Sequence, residues 1–339
     1  KNVNPTTVTE TFEITVAALP TWAWGAFNGW CLHGSLGEGT ISLDVTSKGQ
    51  ISGKLSVAGT NYSFKAASYL RIDEDGALWL FAEAVAGKGR VPLMLKVYRT
   101  PPPAPQVGKT AEGFTPPDGL SMVEGWFGEG GEAPADIVMY RNVWKEEGLS
   151  AVIAEYVGYY TATLPVEAGV GTRALGDESV VEKLAAASDV PAGSAYLTLT
   201  VQSAGTVKVG GRLADGTNVS LSGALVLDDL GRLWTAVYSA PSTYKGGILF
   251  GLVEFVKPED GPVFVRLLDG RAFKWRSLNP QATGDYGVGF DRTLGLTGGW
   301  YDKVGNLYDY YAGKTLSVGV GATDQKPVLF VGTNRYASV

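Results

Sequence analysis

Two side-chain types that carry much of protein chemistry are nearly missing from these 339 residues: there is one histidine, His33, and one cysteine, Cys31. A Ser-His-Asp triad needs an imidazole base, and a zinc site needs three or four Cys, His or carboxylate ligands. Cys31 and His33 stand two apart, so on a strand they share a face. The bland reading, a small buried thiol with a histidine near its rim, outweighs an activated nucleophile. A lone cysteine also excludes an intramolecular disulfide. Charge is scarce too, at 18% against roughly 25% in ordinary soluble domains. With a net charge of −6 and Lys and Arg scattered along the chain, phosphate neutralisation has no basic face to work from, so no nucleic-acid partner is expected. No stretch approaches the roughly 18 consecutive apolar residues of a membrane helix, and the first residues do not read as a signal peptide. Uneven strands and Pro-rich linkers argue against a transmembrane barrel. A start at Lys1 without methionine reads as a piece of a larger polypeptide.

What the chain has is glycine (46), tyrosine (16), tryptophan (9) and an internal repeat. Gly59-Thr60-Asn61-Tyr62-Ser63-Phe64 returns as Gly216-Thr217-Asn218-Val219-Ser220-Leu221. Thr40 to Gly49 lines up with Tyr196 to Gly205, Gly53-Lys54-Leu55 with Gly211-Arg212-Leu213, and Gly25-Ala26-Phe27 with Gly158-Tyr159-Tyr160. Downstream, Asp75-Gly76-Ala77-Leu78-Trp79 answers Asp229-Leu230-Gly231-Arg232-Leu233-Trp234 with one residue inserted, and Glu124-Gly125-Trp126-Phe127 answers Gly298-Gly299-Trp300-Tyr301. A spacing of about 155 residues is too long for a solenoid and suits two whole units. The expected fold is all-β, with two duplicated antiparallel barrel or sandwich-like units in tandem.

Residues 1–20 then read as strand and linker from a preceding module, 21–148 as the first unit and 149–339 as the second. Alternation places first-unit strands near 24–33, 39–47, 50–58, 61–72, 77–86 and 91–99, with 121–127 and 137–144 completing it. Ile41, Leu43 and Val45 imply one face in a core and one in water. Between Thr100 and Gly119, Pro101-Pro102-Pro103, Pro105, Pro116 and Pro117 exclude a central strand. In the second unit, Asp177 is an N-cap candidate for the one credible helix, ending near Ala187. Residues 315–339 supply two last strands, which either close the second barrel or belong to a next repeat.

The alternating stretch from Val8 to Val16, followed by Ala17 to Pro20, resembles the last strand and linker of a bacterial immunoglobulin-like surface domain. The order of Gly158-Tyr159-Tyr160, Leu197 to Val201, Gly205, Gly223, Gly231 to Trp234, Trp275, Gly289-Phe290 and Gly298 to Tyr301 resembles the glycine- and aromatic-punctuated β-repeats of very large bacterial surface proteins. That resemblance implies a cell-surface, modular, extracellular setting and brings no catalytic residue with it.

Local clusters have structural explanations. Asp73-Glu74-Asp75 and Asp228-Asp229 precede Gly76 and Gly231, which makes them hairpin tips where Asp bonds its own backbone; calcium at Asp73/Asp75 or Asp228/Asp229 is the alternative. Asn61 and Asn218 both fit the glycosylation acceptor pattern, yet their shared place argues for a common turn. Trp79, Trp126, Trp234 and Trp300 recur in both units, as core residues of a duplicated barrel would. The unmatched rings Trp22, Trp24, Trp30 and Tyr308 are the candidates for a carbohydrate-binding platform. Expected function is a non-catalytic structural or adhesive module without cofactor or metal, with glycans or other surface proteins as partners. A carbohydrate-binding module is one alternative, and a glycan-active enzyme with paired carboxylates is the other.

Overall fold

The computed structural model describes residues 19–33, 37–99, 120–128, 137–146, 148–166, 191, 193–278, 289–301, 330–331 and 337–338. The strand expected before residue 18, the Pro-rich stretch, the helix expected from Asp177 and Tyr308 lie outside the described residues.

Antiparallel hairpins build two β-barrels. In the first, β1 (Gly25–His33), β2 (Gly37–Val45), β3 (Ile51–Val57), β4 (Thr60–Ala66), β6 (Leu78–Ala86), β7 (Gly89–Arg99), β8 (Ser121–Phe127) and β9 (Ile137–Arg141) form a ring of eight strands. β9 returns to pair with β1, and β4 meets β6 through the single pair Ser63↔Val85. The two-residue β5 (Arg71–Ile72) hangs beside β6. It takes the end of the strand expected over 61–72, which breaks after Ala66. The alternation does what it implies: Ile41, Leu43 and Val45 are buried with Phe27, Cys31, Leu55, Leu80 and Leu95 in one interior cluster. Eight strands leave an interior that side chains just fill, and each buried Leu contributes about 1.5–3 kcal/mol.

The second barrel repeats the plan with β10 (Gly158–Leu164), β11 (Ala195–Val201), β12 (Thr206–Arg212), β13 (Asn218–Ala224), β14 (Val226–Leu227), β15 (Leu233–Ser239), β16 (Leu249–Val256), β17 (Phe264–Leu267) and β20 (Thr297–Trp300). An added hairpin, β18 (Phe273–Ser277) and β19 (Phe290–Leu294), pairs onto β16 and delivers Phe273 and Trp275 into the interior. This ring is nearly closed: no ladder joins β13 to β15, yet a Cβ on Gly223 would lie 3.3 Å from the Ala236 carbonyl oxygen. The short strands β21 (Phe330–Val331) and β22 (Ala337–Ser338) pair with each other, apart from the barrel sheet.

Just ahead of each barrel's first strand, a helical turn packs on the interior cluster. For the first it is a 3-10 turn, Thr21–Ala23, with Ala23 fully buried. For the second it is α1 (Leu149–Ala154), which places Leu149, Val152 and Ile153 on the core. Helix α1 is a short helix of the second unit, separate from the one expected at 177–187, which lies outside the described residues. It is six residues long and begins at Gly148 without a side-chain cap, so none of the usual start signals marks it.

The ladders confirm the duplication and correct its alignment in three places. Leu43 faces Gly53 and the equivalent Leu199 faces Val209, so Gly53 corresponds to Val209 and Gly211 to Leu55. The aspartate turns need no insertion: Asp73 and Asp228 accept the same backbone bonds, from Asp75 and Ala77 in one and from Leu230 and Arg232 in the other. Trp126 lies on β8 beside β7, whereas Trp300 lies on β20, which takes the place of β9 next to the first strand of its barrel. Trp300 therefore corresponds to Arg141, not to Trp126.

Candidate functional site between the barrels

With both interiors filled, open concave surface lies where the outsides of the barrels meet. Outward residues of β1, β8 and β9 (Trp30, Met122, Val138, Tyr140) pack against outward residues of β15 and β16 (Trp234, Phe250, Leu252), together with Val226, Ile248 and Leu268. Trp234 and Tyr140 meet edge to face at 6.4 Å. Hydrogen bonds cross the seam: Tyr140 donates to an Asp229 carboxylate oxygen at 2.6 Å and the Gly59 N–H donates to the Tyr238 hydroxyl at 2.9 Å, while the Trp144 indole, packed in the second barrel's interior cluster, donates to the Leu225 carbonyl at 2.7 Å. Lys274 pairs with Glu38, and the Arg271 guanidinium lies 4.8 Å from the centre of the Trp30 ring. Burial and Asp229 together push the Tyr140 phenol well above its usual range; burial lifts Tyr238 to about 12. Both phenols therefore keep their protons at neutral pH.

Backbone contact completes the joint. The turn at Gly59 meets the turn at Gly246 so closely that a Cβ on Gly59 would sit 2.8 Å from the Gly246 Cα. Gly205, at φ +79°, has the Trp144 ring where its own Cβ would go, 1.9 Å away.

Two clefts flank this seam. The larger, about 420 Å³, has Trp234 and Tyr238 in its wall and takes Asn28, Thr40, Ser42 and Lys54 from the first barrel and Ser222 from the second. Among the described residues, none of those last five side chains spends its polar atoms on a hydrogen bond within the protein. The smaller cleft, about 320 Å³, is lined by Trp30, Leu32, Glu38, Phe250, Arg271 and Lys274 among others. Its one carboxylate is the Glu38 already paired with Lys274.

The sequence-derived candidates fall in different places. Trp22 and Trp24 are half-buried and pack on the first barrel's interior cluster. Trp30 is half-buried in the seam beneath Arg271. Cys31 points into the first barrel and is fully buried, while the side chain of His33 lies outside the described residues. Asn61 is the second residue of β4 and its amide oxygen accepts from Ser56 at 2.7 Å.

The recurring tryptophans do not fill the barrel cores as expected. Trp79 and Trp126 sit half-buried on the outside of the first barrel, edge to face at 6.1 Å. Trp300 is 44% exposed, and Trp234 alone is fully buried, between the barrels rather than inside one. The Trp79 indole donates to the second oxygen of its turn aspartate, Asp73, at 3.0 Å. In the second unit Arg232, standing where the first has Ala77, takes that oxygen of Asp228 at 2.8 Å, and the Trp234 indole N–H has no partner. The acid clusters are thus engaged locally: Asp73 by its turn, Trp79 and Lys96, Asp228 by its turn and Arg232, Asp229 by Tyr140. Among the described residues no group of three His, Cys, Asp or Glu is placed to share a metal ion, and no helix is long and apolar enough to cross a membrane.

The seam does have a signal in the sequence. β16 reads Leu-Phe-Gly-Leu-Val-Glu-Phe-Val and is buried on both faces, a near-continuous apolar run that marks two-sided burial. No family model matches this chain, and no curated protein matches it.

Proposed function

We propose that the chain is a non-catalytic structural or adhesive module of a surface or secreted protein, in which two barrels act as one stiff body. The observation that carries this reading is the seam itself: a desolvated aromatic and aliphatic cluster, cross-barrel hydrogen bonds and a glycine-to-glycine backbone contact. Barrels joined only by a linker tumble separately; barrels sharing a buried cluster do not. The test is NMR relaxation of each barrel in the intact protein. One common rotational correlation time supports the stiff body, and two distinct times sink it.

A second reading, carbohydrate binding, is favoured by the larger cleft, where an amide, three hydroxyls and an amine converge beside an indole and a phenol. Sugars are recognised by such mixtures of donors and rings, and the volume lies in the range of ligand sites. A glycan array with Lys54→Ala and Trp24→Ala variants alongside decides between platforms: loss with Lys54→Ala selects the cleft, loss with Trp24→Ala selects the end of the first barrel, and silence leaves the structural role.

A further inference from the structure

The duplication makes each barrel a guide to the other's surfaces. In the second barrel, the outward face of β15 and β16 pairs Trp234 with Glu254, Ala236 with Leu252 and Tyr238 with Phe250, and the first barrel covers it. The matching face of the first barrel pairs Trp79 with Lys96, Phe81 with Met94 and Glu83 with Pro92, and β8 extends it by placing Trp126 beside Met94. Among the described residues no barrel covers this one. Phe81 is 50% exposed, Met94 and Trp126 are half-buried, and the row Phe81–Met94–Trp126 is apolar across three strands. Arg71 and Lys96 lie over the Trp79 ring at its margin, 5.1 and 5.6 Å from the ring centre. The next row on the same barrel, Trp79–Lys96–Glu124–Val138, ends in the seam at Val138, and the row after it, Tyr98–Met122–Tyr140, belongs to the seam, so the open face continues an interface that exists.

The surface that docks in the seam also has a counterpart on the second barrel. The first barrel docks with β1, β8 and β9; the second has β10, β17 and β20 in those positions. The cross-strand row Asn28–Tyr140–Met122 corresponds by register to Thr161–Gly299–Phe264. Phe264 stands where Met122 stands and is 38% exposed, and the edge-to-face pair Tyr159–Tyr301 lies beside it. One molecule therefore presents both halves of a barrel-to-barrel joint, on different barrels.

We propose that the outer face of β6, β7 and β8 of the first barrel docks the outer face of β10, β17 and β20 of the second barrel of another copy of this chain. The contact is heterologous, so it repeats head to tail and does not close at two copies.

Sedimentation equilibrium over a concentration series tests it, with Phe81→Glu and Phe264→Glu made separately. Both replaced side chains are exposed, and circular dichroism confirms that each variant folds. The wild-type mass grows with concentration beyond that of a dimer, while each variant alone associates at least about tenfold more weakly, a change of about 1.4 kcal/mol. An equimolar mixture of the two variants restores association but stops at the heterodimer, because each partner keeps one intact face. The proposal is overturned if the wild type stays monomeric throughout, if Phe81→Glu associates like the wild type, or if the mixture remains as monomeric as its components.

Discussion

At the residue scale, the same chemistry has opposite consequences in the two units because neighbours differ by one side chain. Asp73 and Asp228 make the same turn, but Ala77 leaves an Asp73 oxygen to the Trp79 indole, whereas Arg232 takes the corresponding oxygen of Asp228. Glycines show the same dependence on surroundings. Gly76 and Gly205 share φ +79°, yet a Cβ on Gly76 meets nothing within 4 Å and one on Gly205 runs into Trp144. Gly76→Ala is expected to cost only the strain of a left-handed alanine, about 1 kcal/mol. Gly205→Ala adds displacement of a buried tryptophan and its bond to Leu225, for a total of about 3 kcal/mol or more. Chemical denaturation of the pair checks this, and equal losses would refute it.

Elements were legible in the sequence to the extent that one of their faces met a core. The expected strands 24–33, 77–86 and 121–127 match β1, β6 and β8 within a residue, because Phe27, Leu80 and Val123 alternate with wetter neighbours. Helix α1 escaped because six residues without a capping side chain give no period to read. Register escaped because small residues recur: Gly53 and Gly211 look alike in sequence but stand two positions apart in their ladders. The seam escaped because outward residues such as Trp30 and Met122 occupy positions that, on a lone barrel, would be wet.

The aspartate turns carry a pH prediction at this scale. The hydrogen bond from the Trp79 indole, then bonds from Ala77 and Lys96, hold Asp73 below the ordinary value of 3.8. Burial holds Asp228 above it, outweighing the Arg232 bonds. Asp73 therefore contributes stability that is full above its unfolded pKa and is lost as pH falls through its folded pKa. For Asp228 the sign reverses: the ionised form carries a cost above its folded pKa, and that cost lifts as pH falls towards 3.8. Carboxyl NMR titration should show Asp73 titrating at lower pH than Asp228, and the reverse order would refute the assignment.

For the molecule as a whole, the seam cluster couples two cores into one cooperative system. Trp234→Ala removes the largest side chain from that cluster and touches neither interior, at an expected cost of about 3–5 kcal/mol. Calorimetry of the wild type should give one transition, and the variant should separate it into two, because each barrel retains its own core. A single unbroken transition in the variant would mean that the barrels are coupled elsewhere.

The closure of the first barrel through Ser63↔Val85 alone makes that pair the zip of an otherwise continuous cylinder. β8 and β9, the next shortest ladder of the ring, share four residue pairs, so opening at the zip breaks the fewest ladder hydrogen bonds. The barrel thus breathes at one seam, and amide hydrogens flanking Ser63 and Val85 should exchange with deuterium well before those of β1. While it is open, β4 and β6 are momentarily bare edges, to which an extended peptide could add as an extra strand.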